Sequence, residues 1–217
     1  MALGLTALAW GVITWRWGDP VTGLYTKRVQ SRLEDELATT RRTFLDDAPT
    51  AVPAASPEPG VVSPALRRLA SRYRPALGEG AAAGRLVVPR LNLDIVVVLG
   101  TETDTLRKGP GIHRSTLLPG QGGLVYVAGH RTTYLAPFAH LDTLRRGDTA
   151  TMEMPYGTFR YRVTGTRIVD DRDLSVLRRT RAEVLRLQAC HPRFRATQRL
   201  IVSAQLVGVS PASASAG

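Results

Sequence analysis

The chain contains a single cysteine, Cys190, in 217 residues. One thiol excludes an intramolecular disulfide and any paired-cysteine metal site, so Cys190 is either inert filler or is kept for its reactivity. Lysine is almost missing: Lys27 and Lys108 are the two present, and every other basic residue is arginine. No Walker A loop, GxGxxG or HExxH spacing occurs, so no cofactor and no metal are expected. Asp142, Asp170, Asp171 and Asp173 lack the spacing of an EF-hand loop and read as turn residues. Aromatic residues make up 6% of the chain and do not interleave with basic runs, which argues against a nucleic-acid surface.

Hydrophobic residues make up 43% and charged residues 22%, which suits one compact domain with tethers and excludes global disorder. The net charge of +11 favours anionic neighbours such as phospholipid or a polyanionic wall polymer.

The first fifteen residues carry no charge, and all three tryptophans, Trp10, Trp15 and Trp17, lie at or near the end of this run. At 1.5 Å per residue the run covers about 22 Å, short of the roughly 30 Å hydrocarbon core. Tryptophan gathers at membrane interfaces. Residues 1–17 are therefore read as the outer part of a truncated membrane anchor, with the body outside the cell; the alternative is a buried N-terminal helix. Residues 18–84 follow as a juxtamembrane helix and Pro/Ala-rich spacer. Within them, Val29, Leu33 and Leu37 recur every four residues, a stripe so narrow that it suits a stalk or a helix lying along a membrane. Residues 46–64 hold Pro49, Pro53, Pro57, Pro59 and Pro64, an extended spacer. Ser63-Pro64 reads as the cap and first position of a short helix through Leu66, Leu69 and Tyr73.

From residue 85 to 209 the texture changes to short apolar runs at 86–88, 95–99, 124–128, 149–154, 158–163, 167–169, 184–189 and 200–207, punctuated by Gly and Pro turns. That pattern predicts a mainly β body, a closed barrel or sandwich, with a helical insert over 136–144. Residues 210–217 read as a disordered tail.

Three places in this body hold groups able to act together. Cys190 ends a strand that Pro192 cuts off, Arg199 opens the next strand nine residues later, and His130 follows the run 124–128. A thiol of ordinary acidity needs an electropositive setting to become a nucleophile. Acyl transfer also needs a donor for the developing oxyanion and an acid for the departing amine. Arginine and histidine supply these. A nine-residue separation fits two strands joined by a loop. Arg193 and Arg195 are nearer to Cys190 in sequence and stay open as alternatives to Arg199. On chemistry alone, so does a buried, inert Cys190.

The blocks L-D-I-V-V-V-L-G-T, L-R-K-G-P-G, L-P-G-Q-G-G, A-G-H-R-T-T-Y-L-A-P-F, L-R-R-G-D, P-Y-G-T-F-R-Y-R-V, A-C-H-P-R-F and Q-R-L-I-V-S-A resemble the sortases, specifically class E of high-GC Gram-positive bacteria. The membrane-proximal W-R-W-G-D-P-V-T-G-L-Y-T fits that class too. The resemblance implies an eight-stranded β-barrel with Cys190 as nucleophile, His130 as general acid/base and Arg199 as oxyanion and substrate stabiliser. It further implies a membrane-anchored transpeptidase cleaving an L-A-x-T-G-type sorting signal between Thr and Gly. Its partners would be secreted proteins bearing that signal and an amine acceptor such as a lipid-linked peptidoglycan precursor. Tyr134 is the candidate for the groove tyrosine of that class, with His113 and Ala189 as further substrate-binding candidates.

Ala189 departs from the family, which usually has threonine before the nucleophile, and a weaker polar lining is expected. His191 should point away from Cys190, since neighbours on a strand face opposite sides. His140 reads as a surface or packing residue. The competing reading is a catalytically silent, membrane-tethered barrel that binds anionic wall polymer. A third, an L,D-transpeptidase, lacks its H-G-x-C arrangement here.

Overall fold

The computed structural model describes residues 20–46 and 60–212. The expected anchor at 1–17, most of the proline-rich spacer and residues 213–217 lie outside the described residues. Eight strands run β1 (Ala82–Val88), β2 (Leu93–Leu99), β3 (Gly111–Ile112), β4 (Leu124–Ala128), β5 (Thr149–Met154), β6 (Gly157–Asp170), β7 (Val184–His191) and β8 (Gln198–Pro211). They close into a barrel in the order β1-β2-β3-β4-β7-β8-β6-β5. The β2–β3 and β4–β7 contacts are parallel and the others antiparallel.

Alternation sets the inner face. Ala150, Met152 and Met154 of β5 and Leu185, Leu187 and Ala189 of β7 enter the core, while the residues between them face out. Two strands lack this alternation because both of their faces are covered. On β2, Ile95, Val97 and Leu99 fill the barrel, while Val96 and Val98 pack against a helix outside it. On β4, Val125 and Val127 point in, and Leu124, Tyr126 and Ala128 form an outer apolar cluster with Val176 and Ile201.

The helix outside β2 is α1 (Pro20–Asp46). Its stripe of Val29, Leu33 and Leu37 packs on Ala82, Val96 and Val98, so it is docked on the barrel and is no free stalk. Polar groups fix the docking. Gln30 donates from Nε2 to the carbonyls of Val96 (3.2 Å) and Lys108 (2.7 Å), and its Oε1 accepts from Val96 N–H at 2.9 Å. Glu36 accepts from Ala82 N–H at 3.0 Å. The narrow stripe suffices because the strand surface it meets is itself narrow and apolar.

Helix α2 (Pro64–Tyr73) forms where expected, with the Ser63 hydroxyl accepting from Leu66 N–H and Leu66, Leu69 and Tyr73 buried. Glu183, completely buried, accepts from Gly120 N–H and Gly122 N–H and from the Tyr161 hydroxyl at 2.7 Å, tying the 119–122 turn to β6 and β7. Burial pushes its carboxyl above the usual range despite these donors.

Three local expectations differ. The runs 158–163 and 167–169 are one bulged strand, β6. The turn-like G-P-G-I contains β3, where a Cβ on Gly111 would lie 1.8 Å from the Gly100 carbonyl oxygen, so only glycine allows that approach. No helix spans 136–144: Tyr134, Leu135 and Ala136 take φ of 52, 64 and 43°, and a single 3-10 turn follows at Leu141–Thr143. The barrel also extends past its expected limits, from Ala82 to Pro211. Among the described residues, no helix is long and apolar enough to cross a membrane.

Candidate active site

Cys190 on β7 stands directly opposite Arg199 on β8. Residues opposite each other on paired strands share a face, so both side chains lie on one side of the sheet. Since Ala189 and Leu187 occupy the core, that side is the outside of the barrel. On the other flank, β4 pairs with β7 in parallel from Leu124↔Val184 to Ala128↔Gln188. Gly129 N–H extends this ladder to the Gln188 carbonyl at 3.0 Å. Carried two residues past Ala128, the same offset would set His130 level with Cys190. His130 thus follows the end of β4 on one side of the strand that carries Cys190, and Arg199 stands opposite Cys190 on the other.

The 124–128 run places His130 and a glycine aims it. A Cβ on Gly129 would lie 2.6 Å from the Phe138 ring, and Phe138 N–H donates to the His130 carbonyl at 3.0 Å. The segment 130–138 is therefore folded back tightly over the core. Burial, with the Arg107 charge second, lowers the His130 pKa and so favours the uncharged ring. Its Nε2 is buried and meets no hydrogen-bond partner among the described residues. The Tyr134 ring lies 5.0 Å from the His130 ring, with the Arg107 guanidinium 6.0 Å from the Tyr134 centroid.

Arg199 is held at the strand entrance: Nη1 donates to the carbonyls of Ala196 (2.7 Å) and Gln198 (2.9 Å), and Nη2 is 4.0 Å from Asp171. The two rival arginines go elsewhere. Arg193 donates to the Ala139 carbonyl, and Arg195 is exposed in the loop between β7 and β8.

The other candidates separate clearly. His113, half-buried, accepts from Ser115 N–H at 3.3 Å and stacks edge-on to Tyr126, whose hydroxyl donates to Gln188 at 2.8 Å on the outer face. Burial lowers its pKa. Ala189 is completely buried in the core, on the face opposite Cys190, so it does not line an outer groove. His140 is exposed. Asp173 caps Ser175 N–H at 2.8 Å and Asp170 accepts from Arg172 N–H at 3.0 Å, both as turn residues. Among the described residues no group of three or more metal-ligating side chains occurs.

Sequence reasoning missed Arg131. It is 5% exposed, and it reaches the Cys190 carbonyl (3.2 Å), His191 Nδ1 (2.9 Å) and Asp142 (3.1 Å). Its partners lie far away in sequence, so only its place beside His130 could have marked it. Gln188, an outward position of β7, and Tyr126, on the outer face of β4, lie hydrogen-bonded beside Cys190.

A thiol, an imidazole and a forked cation brought near one another can attack a carbonyl, move a proton and hold an oxyanion. A sortase-domain family model matches residues 86–207. Sortase D of Bacillus subtilis (strain 168) is 33% identical over 121 residues, which are 55% of this chain and 59% of that protein. Sortase E from Streptomyces avermitilis superposes with a TM-score of 0.56 at 31% identity, covering 64% of this chain and 97% of that one. A Clostridium perfringens Sortase D5 transpeptidase gives 0.64 at 19% identity, over 83% of this chain and 99% of that one, a likeness of fold alone. The chain spans about three fifths of the length of the curated relatives it matches. With more than half of its residues inside the matched domain, the chain belongs to the sortase family.

Proposed function

We propose that this chain is a cysteine transpeptidase of the class E type. It would cleave an L-A-x-T-G sorting signal between Thr and Gly and pass the protein to an amine. The observation that supports this reading is the register that sets Arg199 opposite Cys190, with His130 just past the end of the strand paired on the other side of β7. The neutral His130 ring takes the Cys190 proton as sulfur attacks the threonine carbonyl. Arg199 turns its fork toward the oxyanion. Collapse breaks the C–N bond, and the glycine amine leaves with the proton from His130. The thioester then meets an acceptor amine, which gives a proton to His130 and displaces the sulfur. That proton returns to Cys190, and the cycle closes.

The class rests on the quoted motif blocks and on the 31% identity to a sortase E. The uncharged first fifteen residues and the net charge of +11 support a single-pass membrane protein with its catalytic body outside the cell. There it would meet secreted substrates and a lipid-linked peptidoglycan precursor. Turnover of an L-A-x-T-G peptide, with and without an amine such as a glycine oligomer, tests the reading. Ligated product that requires Cys190 is expected. Hydrolysis and ligation that persist in Cys190→Ala would refute it.

A further inference from the structure

The parallel ladder between β4 and β7 advances two residues per rung. After Gly129 N–H to the Gln188 carbonyl, the next rung would join residue 131 N–H to the Cys190 carbonyl. By then the chain has turned away, toward the Phe138 N–H bond that closes on the His130 carbonyl. The Cys190 carbonyl is met by the Arg131 side chain instead, at 3.2 Å. We propose that Arg131 is a positioning residue, a side-chain rung that holds Cys190 level with His130 where the backbone ladder has ended.

Two further contacts make the rung directional. The same Nη1 lies 2.9 Å from His191 Nδ1. A guanidinium carries no acceptor, so Nδ1 must accept and the His191 proton sits on Nε2. Nη2 is 3.1 Å from Asp142 on the 3-10 turn after the site loop. The Arg131 side chain is 4% exposed, and a charge so buried needs this carboxylate to stay in place. The guanidinium therefore ties three segments together: the residue after His130, the end of the nucleophile strand, and the 141–143 turn. Asp142 acts through Arg131, and Arg131 acts through the Cys190 backbone. Neither touches the reacting atoms.

The role assigned to Arg131 in turnover rests on the transpeptidase reading; the clamp itself does not. The test uses the whole chain, with Arg131→Met, Arg131→Lys, Asp142→Asn and the double variant Arg131→Met/Asp142→Asn. Nitrogen NMR of the wild-type histidine rings should show His191 protonated at Nε2, and Arg131→Met should lose that preference. Peptide turnover in Arg131→Met should fall in kcat by about 10²-fold, the cost of a misplacement of about 1 Å, with KM nearly unchanged. Arg131→Lys should recover part of that loss. Asp142→Asn should lower kcat in the wild-type background and add nothing to Arg131→Met. If Arg131→Met does not fold, Arg131→Lys and Asp142→Asn give the same kcat and tautomer readouts. A folded Arg131→Met with wild-type kcat, or a wild-type His191 protonated at Nδ1, overturns the clamp. If the wild-type chain turns over no peptide, the transpeptidase reading fails while the tautomer measurement still decides the clamp.

Discussion

Cys190, His130 and Arg199 differ in what can replace them. Cys190→Ala should abolish cleavage and transfer, since no other thiol exists in the chain. His130→Ala should cost about 10²–10⁴-fold in kcat, the usual worth of acid–base help. Arg199→Lys should cripple turnover although the charge remains, because an ammonium lacks the fork that meets a carbonyl and an oxyanion together. His191→Ala should cost far less than His130→Ala, its ring being a partner of Arg131. Peptide turnover on folded variants ranks all four, and equal losses at His191 and His130 would contradict these roles. The Cys190–Arg199 pairing was legible in the chain: the nine-residue gap suits two strands and a loop, and the register sets the two opposite each other. Ala189, a groove candidate from its motif position, lies buried on the inner face, because a motif position does not say which face a residue occupies. Arg131 was not legible, since its partners sit 59 and 60 residues away along the chain.

Among the elements, α1 shows how periodicity and partner can part company. The four-residue spacing of Val29, Leu33 and Leu37 gave a helix, but a stripe that narrow fits a membrane surface and a strand pair equally well. The unbroken I-V-V-V-L of β2 held the missing half: a strand apolar on both faces needs something on its outer side. Leu33, 5% exposed against Ala82, Val96 and Val98, measures the docking. Leu33→Ala should destabilise the fold by about 2–4 kcal/mol in urea denaturation. A change under about 0.5 kcal/mol, the scale of surface substitutions, would mean that the helix does not rest on the barrel in solution. The two-residue β3 escaped notice because G-P-G carries every mark of a turn. The helix expected over 136–144 failed at Tyr134–Ala136, where three consecutive positive φ values turn the chain back over the core.

Over the whole molecule, closure of the barrel makes a fixed frame of strands whose ends differ in residue number by more than a hundred. Glu183 is one of its ties, and its removal would leave Gly120 N–H, Gly122 N–H and the Tyr161 hydroxyl without their acceptor. At about 1–3 kcal/mol for each orphaned group, Glu183→Ala should cost about 3 kcal/mol or more. Glu183→Gln, which keeps one acceptor oxygen, should cost less; the pair is read by the same denaturation. That frame sets Arg199 opposite Cys190 and ends β4 two residues before His130, and the transpeptidase reading stands or falls with what happens there. The most direct measurement is intact-protein mass spectrometry of the chain mixed with an L-A-x-T-G peptide and quenched in acid. The account predicts a mass increase equal to the peptide through threonine, cleavable by hydroxylamine, located on Cys190 and accumulating until an amine acceptor is added. An unmodified Cys190 while the same peptide is cleaved between Thr and Gly would contradict it.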